Sequence, residues 1–74
     1  MARHFSGRRL RTLRTAANIT PDGLADMVGR SAFSVREYER GRVIPSVDVL
    51  ARLADTLGCA TDDLFELRSV SDAA

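Results

Sequence analysis

The chain has 74 residues, 11 of them basic and 10 acidic for a net charge of +1, and 45% are hydrophobic. That length holds one domain with a core of the size that yields only about 3–5 kcal/mol unaided and gains from a partner. A single cysteine (Cys59) and a single histidine (His4) exclude an internal disulfide and a cysteine-rich metal site, and no apolar run approaches the ~18 residues that cross a membrane.

No apolar leader segment opens the chain, so it reads as cytoplasmic, with no metal and no cofactor. Charge is unevenly spread. Residues 1–42 carry nine arginines against four acids, and residues 43–74 carry two arginines against six acids. A basic half and an acidic half suit one face toward phosphates and another toward solvent or a partner. All 11 basic residues are arginine. That suits phosphate geometry, and genome base composition explains the bias equally well.

Residues 5–10 open a first helix. Ser6 is its N-cap, with Phe5 and Leu10 bracketing it as a hydrophobic staple. Leu10, Leu13 and Ala17 recur at helical spacing, Arg8, Arg11 and Thr12 fall on the wet side, and Asn18 ends the helix where left-handed backbone is tolerated. Thr20-Pro21 opens a second helix, with proline where it has no hydrogen bond to lose and Asp22 complementing the helix dipole. Leu24, Ala25 and Val28 form its apolar face, and Gly29 stops it. Ser31 caps a third helix running from 32 to about 40. Val35 and Tyr38 point inward, Ala32, Phe33, Arg36 and Glu37 outward, and Gly41 ends it. After a short connector, Pro45-Ser46 opens a fourth helix with Val47, Leu50, Leu53, Ala54 and Leu57 as its stripe and Gly58 as its close. A last short helix is predicted over 61–67, with Asp62 and Asp63 in its first turn and Leu64, Phe65 and Leu67 apolar. Residues 69–74 read as frayed. No strand pattern, repeat or low-complexity tract appears. The expectation is a single all-α domain of five short helices, ordered over about 5–67.

Residues 24–41 organise the rest. A DNA-reading helix must protrude, be held at a fixed angle, and fit a major groove about 12 Å wide. Small Ala25 where two helices cross, Gly29 in the turn, and the Val35/Tyr38 anchors meet the first two requirements. At these residues the chain resembles the phage-repressor-type (lambda-repressor-like, Xre-like) helix-turn-helix family. The matching pieces are RLRTLR (9–14), LADMVG (24–29), YERG (38–41), PSVDVLARLADTLG (45–58) and DDLF (62–65). No single piece is specific; their ordered set is.

The resemblance implies a compact five-helix domain acting as a transcriptional regulator, a dimer on a partly palindromic operator. Carried over by position, base reading falls to Ala32, Phe33, Arg36 and Glu37. Backbone positioning falls to Thr20, Ser31, Ser34, Arg40 and Arg42. An ion pair between Arg14 and Glu39 fixes the reading helix. Departures concern the second helix. The family often has Gln at its start, touching a phosphate, where Pro21 stands here; Glu is common where Gly23 stands. Arg30 replaces a usually apolar residue and supplies a candidate backbone contact in exchange. Ala60 occupies the usual Ser/Thr cap of the last helix, with Thr61 as an alternative.

Several positions keep more than one reading. Phe33 suits thymine methyls, an altered core or a protein interface. Arg36 suits guanine, phosphate or solvent; Glu37 suits cytosine N4 or the orientation of a neighbouring arginine. Leu67 and Val70 have no place in a five-helix core and are read as a dimer contact, which Val43 and Ile44 of the connector join. Two function classes follow. The first is a sequence-specific regulator with double-stranded DNA as partner. The second is a protein-interaction module on the same fold, an antitoxin or adaptor, to which Pro21, Phe33 and the acidic half are suited. No nucleophile–base set or paired-carboxylate cleft points to an enzyme.

Overall fold

Each of the four α-helices starts on a side-chain hydroxyl. The structure is a computed structural model that describes residues 2–68. Ser6 accepts from the Arg9 amide at 3.1 Å ahead of α1 (Gly7–Ala16), and Thr20 from Gly23 at 3.0 Å ahead of α2 (Pro21–Val28). Ser31 accepts from Ser34 at 3.1 Å ahead of α3 (Ala32–Glu39), and Ser46 from Val49 at 3.3 Å ahead of α4 (Val47–Leu57). Such a cap satisfies one orphan amide and stabilises a helix by about 1 kcal/mol. Gly29 ends α2 at φ 71°, letting the Arg30 amide turn back to the Ala25 carbonyl at 2.9 Å, a left-handed exit that a Cβ disfavours.

The apolar faces meet in one cluster. Leu10, Leu24, Val28, Val35, Leu53 and Leu64 are fully buried, and Ala25, Tyr38, Val49, Leu50 and Ala54 nearly so. α3 packs on α1 and α2, and α4 on α2 and on the turn that follows it. The α4 stripe is shifted from expectation: Val47 is 81% exposed and Val49 is buried instead. Val47 directly follows the cap, so it overhangs the end of the core where no described residue covers it.

The helix expected over 61–67 does not form. Thr61–Leu64 is one 3-10 turn, and Phe65–Arg68 is a strand, β2, antiparallel to β1 (Ala2–Phe5). Over the described residues the fold is therefore largely helical, with four α-helices and a two-stranded sheet in register from Ala2↔Arg68 to Phe5↔Phe65. Two causes are visible. Ala60 offers no capping side chain, and the Asp63 carboxylate that accepts from the Ala60 amide at 3.0 Å supports a single turn. Residues 2–5, meanwhile, supply a ladder partner 60 residues away in sequence. Phe5 packs edge-on against Phe65 with ring centroids 6.3 Å apart, and the Ser6 amide donates to the Leu64 carbonyl at 2.8 Å. The Glu66 carboxylate accepts from the Ser6 hydroxyl and sits 3.3 Å from Arg8 Nη2. The Ser6 hydroxyl holds the Glu66 carboxyl below the usual carboxylate range; desolvation opposes this and Arg8 reinforces it. Val70 and the tail 69–74, read as a dimer contact and a frayed end, lie outside the described residues.

Candidate nucleic-acid interface

Three devices hold α3. Its inner side is anchored by Val35 and Tyr38, both buried. Its carboxyl end meets the start of α1 so closely that a Cβ on Gly7 would stand within 3.0 Å of the Tyr38 and Glu39 carbonyl oxygens. The third is Arg14. Its Nε lies 2.5 Å from Glu39 Oε2 and its Nη2 3.2 Å from Oε1, while Nη1 donates to the Ile19 carbonyl at 2.8 Å. The two side chains are only 12% and 9% exposed. A pair this dry fixes geometry more than it adds net stability. Here it ties the end of α3 to α1 and to the loop before α2.

The outer side of α3 carries Phe33, 69% exposed, and Arg36, whose Nη2 lies 3.5 Å from Asp22 Oδ1 on α2. Ala32 and Glu37 depart from the outward face expected for them. Ala32 is half-buried against the core. The Glu37 side chain is only 12% exposed, with Arg40 Nη1 at 3.3 Å and Arg42 Nη1 at 4.0 Å from its Oε2. Two arginines fold over one carboxylate because Arg40 lies one turn along α3 and Arg42 returns from the connector. The outward face is thus narrower than the helical wheel drew it, and Glu37 orients arginines.

Around this face, Thr20 and Ser31 are committed as caps, and the Ser31 hydroxyl also donates to Ser34 Oγ at 3.0 Å. Arg30 is exposed at the turn. An open cleft of about 270 Å³ lies between α1, the start of α2 and α3, lined by Arg11, Arg14, Pro21, Arg36, Glu39 and Arg40. Val43 and Ile44 are exposed in the connector beside Val47, and Leu67 is exposed on β2. Gly7, Asp22 as the partner of Arg36, and Arg11 as a cleft residue escaped the sequence reading. Only Gly7 left a signal there: glycine is a poor helix former, so one inside the first turn of a helix asks for a steric reason.

Among the described residues no three metal-ligating side chains converge, and no helix is long and apolar enough to cross a membrane. A family model described as a helix-turn-helix domain matches residues 7–67. An uncharacterised HTH-type transcriptional regulator of Bacillus subtilis, YazB, is 36% identical over 58 residues, covering 78% of this chain and 84% of that protein. The P22 c2 repressor, solved with a synthetic operator, superposes with a TM-score of 0.78 at 31% identity over 82% of this chain and 92% of its own. The restriction-modification controller protein C.AhdI of Aeromonas hydrophila superposes with a TM-score of 0.75 at 34% identity, over 78% and 88% of the two chains. With a braced helix, a glycine turn and a second helix bare on one side, the chain belongs to the phage-repressor-type helix-turn-helix family and is a DNA-binding transcriptional regulator.

Proposed function

We propose that the chain binds its operator as a homodimer, with α3 in the major groove and Phe33 and Arg36 on base edges. The observation that carries this is the pairing of exposures on one helix: Val35 and Tyr38 buried, Phe33 and Arg36 bare. Phe33 suits thymine methyl groups, and Arg36, once it leaves Asp22, suits the two acceptors of guanine. Ala32, half-buried against the core at the start of α3, is left out of the reading edge. Thr20, Arg30, Ser31, Ser34, Arg40 and Arg42 supply the backbone contacts, with Glu37 orienting the last two. A partly palindromic site follows from two-fold symmetry, with half-site centres about 34 Å apart. The exposed Val43 and Ile44, joined by Val47, and Leu67 on β2 supply apolar surface for self-association. The place of action is the cytoplasm, on the nucleoid.

The test is selection from random duplex DNA at two salt concentrations, run on the wild type and on Arg36→Ala. Expected are a recurrent two-armed site, binding that weakens steeply with salt, and, for Arg36→Ala, relaxed choice at one base pair per half-site with a loss of about 1–3 kcal/mol. An unchanged base preference in that variant would remove Arg36 from the reading face. The exposed Phe33 favours a second reading, a protein-interaction module. Blank selections together with one stoichiometric protein partner would establish it.

A further inference from the structure

Helix amino termini collect anions, and the amino end of α2 faces the reading helix. Here that end is closed. Pro21 has no N–H to offer, the Gly23 amide is taken by Thr20 Oγ at 3.0 Å, and the Leu24 amide by the Thr20 carbonyl at 2.9 Å. Only the Asp22 amide is left, next to its own carboxylate. Positive charge has gathered beside it instead. Four arginines and one glutamate line the 270 Å³ cleft around Pro21.

The four arginines are not equivalent. Each nitrogen of the Arg14 guanidinium donates to an internal acceptor, on Glu39 or Ile19. Arg36 leans on the exposed Asp22 at 3.5 Å, a surface pair that re-aims at little cost; Arg40 leans on Glu37 at 3.3 Å, and because Arg42 stands 4.0 Å from the same carboxylate, Arg40 can turn to the cleft without leaving Glu37 unpaired. Arg11 has no carboxylate within 4.0 Å among the described residues. It therefore enters the cleft with its charge uncompensated. Because Arg36 of α3 and Arg40, which caps its carboxyl end, also line the cleft, the cleft opens alongside the reading face.

We propose that this cleft seats one backbone phosphate of bound DNA, held by Arg11 of α1 together with Arg40 at the carboxyl end of α3, in place of the closed amino end of α2. The inference rests on the DNA-reading role proposed above for α3. It makes Arg11 a DNA-binding residue, with Pro21 as the apolar floor of the site.

The experiment compares the full wild-type chain with Arg11→Gln on the selected duplex and on a scrambled one, over a range of salt. Arg11→Gln should weaken both complexes by a similar factor, roughly tenfold. It should lower the salt slope by about one per protomer, and leave base preference and thermal midpoint unchanged. A single methylphosphonate moved along the duplex should cost the wild type affinity at the phosphate facing the cleft, and cost Arg11→Gln nothing there. Inorganic phosphate alone, at constant ionic strength, should leave the Arg11 Nε–H resonance in place. A saturable shift would make free phosphate the ligand and overturn the assignment to DNA. Unchanged affinity and slope in Arg11→Gln would overturn the inference while operator reading stands, as would a loss confined to the selected duplex. A wild-type chain without affinity for any duplex would instead remove the reading on which the inference rests.

Discussion

Gly7 sets the distance between α1 and α3. No side chain fits there, because the obstacle is backbone: the carbonyls of Tyr38 and Glu39. Gly7→Ala must therefore push the two helices apart or unwind the start of α1. We expect a loss of about 2 kcal/mol or more, read as a fall in Tm of roughly 8–16 °C for a domain of this size. Arg14 and Glu39 act on the same helix end by charge. Removing one partner strands the other in a site about a tenth exposed, so Arg14→Gln or Glu39→Gln alone should cost about 3 kcal/mol. The double variant should cost less than the sum of the two, with a coupling of about 1–3 kcal/mol in a double-mutant cycle followed by urea unfolding. Additive losses would mean that the two residues do not act as a pair. Glu37 shows what a helical wheel leaves out. The wheel orients a side chain relative to its own axis but cannot show that Arg40 and Arg42 fold back over it.

At the scale of elements, the helix starts and the α2–α3 turn were legible because their causes are local. A hydroxyl accepting from the amide three residues on, a proline at the first helical position and a glycine at the exit all act within one turn of chain. The β1–β2 pair was not legible, because its partners lie about 60 residues apart and neither four-residue run alternates clearly enough to declare a strand. Tertiary pairing won over the weak helical pattern of 61–67, which had no cap to resist it. This sheet also carries a pH dependence. The Glu66 carboxyl is held below its ordinary value by the Ser6 hydroxyl, so the folded chain releases that proton at lower pH than the unfolded chain does. The stability this confers is complete above the unfolded carboxylate value of about 4.3 and is lost as pH falls through the lower folded value. Urea midpoints of the wild type should decline over that acidic window, and Glu66→Gln should show a flatter profile across it. Parallel profiles for the two proteins would show that Glu66 is not the group responsible.

Across the whole molecule the charge asymmetry of the sequence resolves into two sets of arginines. Arg3 and Arg8 stand 3.6 Å and 3.3 Å from the acids Asp62 and Glu66, carried by the carboxyl-terminal half. Arg11, Arg36, Arg40 and Arg42 gather on the side that bears α3. The tally of charges by half could not separate these sets, because it takes the β1–β2 pairing to bring the two ends of the chain together. The apolar connector is the remaining surface feature at this scale. Ile44, 74% exposed, tests self-association with little risk to the fold: Ile44→Glu should shift sedimentation toward monomer and reduce operator affinity, with Tm at high dilution unchanged. A wild-type chain that stays monomeric on its operator would exclude the homodimer.

Because Ala2 faces Arg68 across the sheet while Phe5 faces Phe65, the first and last described residues, 2 and 68, stand at the same end of the ladder. Tension applied between residues 2 and 68 would peel that ladder one rung at a time and never load all its bonds in shear. The strand pair is thus a zipper: it yields to small forces and comes apart before the helical core feels the pull.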